Sequence, residues 1–441
     1  MKDLTKGRPS VLILTFALPI FLANLLQLTY SLADTRIVGT FLGDNALAAV
    51  GATTTLSNLI VQFLMGMCNG FAIISAQCFG AKDMDRLRRS LGNSLVLGLL
   101  AAVVLTIGGL VFLQPILRFL NVPENLLNTA TQYVSVIIAG LVVTLLYDVL
   151  AATLRAIGDT VTPLIVLAVS VVLNIGGDLL LIVVLHMGVL GAAVATVLSQ
   201  LIAVVVCAVY LWEKYEILRI RVDDLKLQDA GMLRNMLSSG LSMGFMSSLV
   251  NIGTLTLQTS INKLGQNIII AHTAARKISE IFMIMFSVFG QTMATYCGQN
   301  YGARRFDRIR QGIRASLIIA AVWAVVVFLI CHTIEGKLIQ FVASTTNPDV
   351  IYWGSTYLKV DMSFIVICGV IVILRNSMQG FGDRVIPVFS SCIELAGKII
   401  FAFVFAPMFA YWGIIWAEPM VWIAMVIPLI VKVVHVLKKE A

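Results

Sequence analysis

Residues 77–90 read QCFGAKDMDRLRRS, and residues 299–312 read QNYGARRFDRIRQG. Gln77, Gly80, Ala81, Asp85, Arg86 and Arg88 return as Gln299, Gly302, Ala303, Asp307, Arg308 and Arg310, all at one offset of 222 residues. A second pair follows at an offset of 224: Ile157-Gly158-Asp159-Thr160-Val161-Thr162-Pro163 against Phe381-Gly382-Asp383-Arg384-Val385-Ile386-Pro387. Gly43 with Gly265 and Gly191 with Gly413 are weaker echoes. The chain is an internal duplication. In each first motif the glycine suits a left-handed helix end, and the Asp-Arg-x-Arg that follows opens a new helix with basic side chains set at lipid headgroups. The Gly-Asp-x-x-x-Pro elements end one helix and start another with proline in its first turn. These are turn and anchor elements, and no transport chemistry is assigned to them.

The material between the motifs is apolar. Of 441 residues, 59% are hydrophobic and 12% charged, and mean hydropathy is +0.95; a soluble chain carries roughly 25% charged residues. The apolar runs have helical length, unlike the short alternating strands of an outer-membrane barrel. They predict twelve spans near 11–33, 46–76, 91–112, 128–151, 163–185, 189–211, 237–262, 270–296, 313–333, 350–374, 385–406 and 412–434. Of the 31 Lys and Arg residues, 21 fall in the termini and alternate loops, and Arg314 and Lys432 lie in the adjoining ends of spans nine and twelve. That bias is topogenic, placing both termini in the cytoplasm and the protein in the inner or plasma membrane. It also accounts for the net charge of +8 without nucleic acid. The fold expected is an all-α membrane protein of two pseudo-symmetric six-helix lobes: 1–211 (spans one to six) and 237–441 (spans seven to twelve), joined by a cytoplasmic linker, 212–236. An even number of helices between repeats orients both lobes alike.

Other classes find little support. Seven isolated cysteines and four scattered histidines form neither a disulfide framework nor a metal motif. No nucleotide loop or nucleophile motif points to an enzyme. The first apolar run continues into Asp34 with no small-residue cleavage site, unlike a cleaved signal peptide. His272, at the outer start of the eighth span, reads as an interfacial residue.

Twelve spans in two halves, Q-x-x-G-A-[KR] after spans two and eight, Gly-Asp-x-x-x-Pro after spans four and ten, Leu18-Pro19 and Ala33-Asp34-Thr35 in span one together resemble the multidrug and toxic compound extrusion (MATE) family. The resemblance covers essentially the whole chain. It implies a two-lobed, alternating-access antiporter that exports organic cations or drugs against H⁺ or Na⁺, has no cofactor, is surrounded by membrane lipids and works as a monomer. The alternative is a flippase for lipid-linked oligosaccharides, a member of the same superfamily.

Ionisable groups at membrane depth are costly and therefore functional candidates. Asn174 and Asp178 lie one helical turn apart in span five, with Asp34 on span one and Thr196 on span six as the other candidates for a polar cluster. In the family's DNA-damage-inducible branch the cation site uses an Asp, an Asn and Asp four apart, and a Thr at these places, which implies that Asp34, Asn174, Asp178 and Thr196 bind the coupling ion, with Na⁺ at Asp34 and Asp178 as one option. A carboxylate withdrawn from water can equally take up and release a proton in step with a conformational cycle. Asp148, beside Tyr147 and near Arg155, reads as a snorkelling or paired charge. In the second half Glu394, Lys398 and Glu418 form a charge cluster, read first as structural and alternatively as substrate-facing. Val250 and Cys368 stand where other branches place acidic residues, so no second-lobe cation site is expected. Glu280 pairs with Arg276 and Lys277 or faces the cleft. Asp361 reads as a neighbour of Lys359 near the outer surface. The Met- and Phe-rich run 282–286 suits a pliable apolar surface.

Overall fold

The structure, a computed structural model, describes residues 2–119 and 122–439. Among them every regular element is helical: α1 (Pro9–Leu42), α2 (Asp44–Gly80), α3 (Met84–Val111), α4 (Leu113–Phe119), α5 (Glu124–Ala139), α6 (Leu141–Ala156), α7 (Val161–Asp178), α8 (Val189–Lys214), α9 (Ala230–Ile261), α10 (Gln266–Gly302), α11 (Phe306–Thr333), α12 (Glu335–Ala343), α13 (Pro348–Ser363), α14 (Ile365–Gly380), α15 (Val385–Ile400), α16 (Ala406–Phe409), α17 (Tyr411–Ile415) and α18 (Ala417–Lys439). Ten spans are long and apolar enough to cross a bilayer, and two bent pairs raise the number to twelve. Their outer faces are aliphatic: Val104 is 68% and Val172 70% exposed. Only a lipid solvent makes such a surface stable. The protein is a multi-pass membrane protein.

Spans four and ten, expected to be continuous, are broken. α5 meets α6 at 43° across Gly140, and α13 meets α14 at 48° across Phe364. At the second break Ser363 Oγ donates to the Lys359 carbonyl (2.7 Å), a side-chain bond that competes with the helical ladder.

The chain divides into two compact units, inside α1 after Ala17 and inside α9 after Gly244. Pro19, which cannot donate into the helix ladder, lies two residues past the first division. The first unit packs α2, α3, α5, α6 and α8 around Leu64, Phe71, Leu91, Leu145 and Leu154. The 212–236 segment is fastened to it: Tyr215, Leu218 and Met232 join the core, and Arg88 Nε donates to Asp224 Oδ2 (2.7 Å). Gly92 allows this approach, since a Cβ there would meet the Asp224 carbonyl at 2.4 Å. The second unit centres on α10, with α11, α13, α14, α15 and α18 around Phe286, Phe289, Tyr296 and Tyr357.

Local geometry repeats at the offsets read from the sequence. Left-handed residues pair as Lys82 with Arg304, Gly43 with Gly265, and Gly158 with Gly382. Each α7 and α15 runs directly into a π-helical turn, Leu179–Val184 and Phe401–Phe405. The left-handed positions of the first motif are thus Lys82 and Arg304, two residues after the glycines to which that role was assigned.

The basic residues of that motif are pins rather than headgroup anchors. Arg308 is buried and donates to the Gly7 carbonyl (3.0 Å), the Leu4 carbonyl (3.3 Å) and Asn300 Oδ1 (3.1 Å). Gln299 Oε1 accepts from the Leu4 amide (2.9 Å). Arg86 reaches Asp229 at 3.3 Å. The Gly-Asp turns serve as expected. Asp159 accepts from the Thr162 amide (3.0 Å) and hydroxyl (2.7 Å), and from Tyr215 Oη (2.8 Å). Asp383 accepts from the Val385 amide (3.2 Å) and pairs with Lys432.

Candidate coupling site and charge network

Four side chains named from the sequence meet inside the first unit. Asp34 comes from the second half of α1, Asn174 and Asp178 from the last turn of α7, and Thr196 from α8. Asn174 and Asp178 are fully buried. Asp178 closes α7 just before the π turn, a feature common at functional positions. The carboxyl groups of Asp34 and Asp178 are close enough to act on one another electrostatically. With its amide turned to satisfy both neighbours, Asn174 donates to Asp178 Oδ2 (3.1 Å) and accepts from the Thr196 amide (3.2 Å). Tyr30 Oη donates to Thr196 Oγ1 (3.1 Å), which donates onward to the Ala192 carbonyl (3.1 Å). Tyr30 did not stand out in the sequence, because a tyrosine in an apolar run carries no spacing signal.

Two consequences follow. Neighbouring carboxylates withdrawn from water resist being charged together unless a proton or a cation lies between them. And Oδ1 of each aspartate is buried with no hydrogen-bond partner.

The second unit carries a longer network than the expected triad. Lys398 Nζ, 2% exposed, lies 2.9 Å from Glu394 Oε1 and 3.2 Å from Glu418 Oε1. Each glutamate has a second cation: Arg375 at 3.6 Å from Glu394 and Arg276 at 3.5 Å from Glu418. Arg276 also reaches Glu280, at 3.9 Å. Glu280 is exposed and lines a cavity of about 240 Å³ with Arg276, Lys277, Gln258, Tyr357 and Glu418. Arg375 did not stand out in the sequence; the packing of α14 against α15 joins it to Glu394.

Three sequence assignments change. Asp361 is fully buried rather than superficial: Ser279 Oγ donates to its Oδ2 (3.1 Å), its Oδ1 has no partner, and Lys359 pairs instead with Glu335 (2.7 Å). His272 is buried, with Nδ1 3.2 Å from Tyr411 Oη and its ring edge-to-face on Tyr357. Arg155, the charge expected near Asp148, donates to Asn69 Oδ1 (3.1 Å). Asp148 makes no salt bridge or hydrogen bond with any described residue.

A membrane-embedded, duplicated helical fold with a carboxyl pair in one unit and a neutralised charge chain in the other is the architecture of a secondary transporter. The family model described as MatE matches residues 19–180 and 242–404, and the chain belongs to that family of multidrug efflux transporters. It is 28% identical over 406 residues to the "Probable multidrug resistance protein YoeA" of Bacillus subtilis (strain 168), covering 89% of this chain and 86% of that one. It is 25% identical over 411 residues to the "Multidrug export protein MepA" of Staphylococcus haemolyticus, covering 91% and 88%. Among solved structures, "Crystal structure of MATE in the bent conformation" superposes with a TM-score of 0.91 at 22% identity, covering 99% of this chain and 98% of that one.

Proposed function

We propose that the protein is a proton-coupled antiporter that exports amphipathic organic cations, with Asp34 and Asp178 as the coupling carboxyls and Asn174 and Thr196 as the groups that orient them. The observation that carries this reading is a pair of neighbouring aspartates, each with one buried oxygen that has no hydrogen-bond partner among the described residues. A proton fits the set better than Na⁺. A hard cation takes roughly six oxygen ligands, whereas the hydroxyl of Thr196 and the amide oxygen of Asn174 are already engaged. Loading neutralises the pair and changes the cost of closing the unit around it, so the ion binds the two access states unequally, as coupling requires. Both termini lie in the cytoplasm and the protein resides in the inner or plasma membrane, consistent with the asymmetry of its basic residues. Drug export follows the names of the relatives, and the exposed Glu280 on the second-unit cavity favours cationic drugs. The oligosaccharide-flippase alternative would need free cations for a pyrophosphate. Here Arg276, Arg375 and Lys398 are each neutralised by a glutamate.

The test is ethidium transport by everted vesicles, with pH and Na⁺ gradients imposed separately. Asp34→Asn and Asp178→Asn should each abolish transport driven by a pH gradient, at least ten-fold, while leaving expression and thermal stability close to wild type. Wild-type transport by Asp34→Asn would refute the assignment. Transport driven by Na⁺ alone would replace the proton with Na⁺.

A further inference from the structure

A cavity of about 120 Å³ inside the first unit has Asn174 of the coupling site in its wall, together with a carboxylate that the site does not use. Tyr30 and Asn174 line one part of it; Thr144, Tyr147, Asp148 and Gln200 line another. A drug-sized ligand needs about 300 Å³ or more, so the cavity is too small for cargo. At about 30 Å³ per molecule it holds roughly four waters, each of which needs two to four polar partners. The wall holds polar residues for this: Tyr147, Thr144, whose hydroxyl is bonded to Gln200 (2.7 Å), Ser170 and Ser199. The carboxyl of Asp148 forms part of this wall, half-buried and free of any ion pair or hydrogen bond to the described protein. A carboxylate at membrane depth with no partner is an expensive feature to carry unless water solvates it and it exchanges a proton.

The groups facing Asp148 are compatible with that exchange. Tyr147 and Arg155 come from its own helix, Cys68 from α2, and Tyr30 shares the cavity from α1. α8 contributes Gln200 and, near Tyr147, Cys207; α7 contributes only neutral residues to the wall. Among the described residues that face Asp148, Arg155 is the one cation. It stands two turns further along α6, towards the end where Lys2 donates to the Ile157 carbonyl (3.2 Å), and it is engaged by Asn69.

We propose that Asp148 is a proton relay, passing the coupling proton through this hydrated cavity between the Asp34–Asp178 pair and the face of the first unit at the Arg155 end. The inference rests on the coupling reading above, and deepens it: the unit exchanges its proton with the cytoplasm through its own interior rather than through the substrate path. The proton leaves the carboxyl pair, protonates a cavity water chain whose far end protonates Asp148, and departs from Asp148 to water beyond Arg155.

The experiment uses purified full-length protein in liposomes with ethidium as the probe. Two modes are compared: uptake driven by a pH gradient, and ethidium–ethidium exchange at symmetric pH, which requires no net proton movement. Asp148→Asn should slow the driven mode at least ten-fold and leave exchange within two-fold of wild type. Asp148→Glu should recover the driven mode, and its solvent deuterium isotope effect should exceed that of wild type, because the displaced carboxyl makes proton handover limiting. Thermal unfolding of each variant separates a folding defect from a relay defect; if Asp148→Asn unfolds, Asp148→Ser with added formate takes its place, and formate should restore the driven mode. Asp148→Asn at wild-type driven rate, with Asp34→Asn inactive, overturns the relay and leaves the coupling site intact. Equal losses in both modes would also overturn it, since a structural or cargo role predicts that. Wild-type driven uptake by Asp34→Asn overturns both readings together.

Discussion

The charge chain of the second unit makes the sharpest energetic prediction. Lys398→Met keeps the aliphatic volume and removes only the ammonium that Glu394 and Glu418 share at 2.9 and 3.2 Å. Removing one partner from a buried ion pair costs about 3–5 kcal/mol, chiefly because a carboxylate is left buried without its counter-charge. Here each glutamate keeps an arginine, at 3.6 Å for Glu394 and 3.5 Å for Glu418, so the lower end applies, about 3 kcal/mol. Adding Glu394→Gln removes the surplus negative charge and should recover most of that, leaving the double variant about 1 kcal/mol below wild type. For a helical unit of this size each kcal/mol moves the midpoint by about 2–4 °C. The single variant should therefore melt about 6–12 °C below wild type in detergent, and the double variant about 2–4 °C below. A differential scan of the three proteins, read by intrinsic tryptophan fluorescence, measures both. A Lys398→Met protein that melts with wild type yet cannot transport would refute the structural assignment and make Lys398 a working part of the cycle.

Two further outcomes follow from the same geometry. A Cβ on Gly253 would lie 2.8 Å from Lys398 Cδ, so Gly253→Ala should cost about 1–3 kcal/mol by overpacking and become neutral or stabilising in a Lys398→Ala background; equal cost in both backgrounds would show that the clash is relieved elsewhere. Asp159, in the turn between α6 and α7, is opposed by burial yet held below the ordinary aspartate range by the Thr162 amide and hydroxyl and by Tyr215. Its contribution to stability is then complete above the unfolded aspartate value and is lost as pH falls through the lower folded one. The stability gap between wild type and Asp159→Asn should be full at pH 7 and close only in strong acid, and a gap independent of pH in that range would exclude the carboxylate as the cause.

Much of this molecule is written at short range. The 222- and 224-residue offsets pair not only identical letters but backbone states, since Gly158 and Gly382, or Lys82 and Arg304, reach positive φ through contacts a few residues away. The spans were legible for the same reason, because helix formation and apolar length are local properties. Asn174 and Asp178 could be placed on one face from their spacing alone, and they do share a hydrogen bond. What the tertiary structure decided is everything that depends on the rotation and tilt of one helix against another. No spacing brings Arg375 to Glu394, buries Asp361 against Ser279, or turns Arg155 towards Asn69 rather than Asp148. Nor does the sequence show that α1 and α9 are divided between the two units, or that Asp148 opens onto the same cavity as Asn174. Charge partners within a helix follow from 3.6 residues per turn. Partners between helices follow from packing, which a linear pattern does not contain.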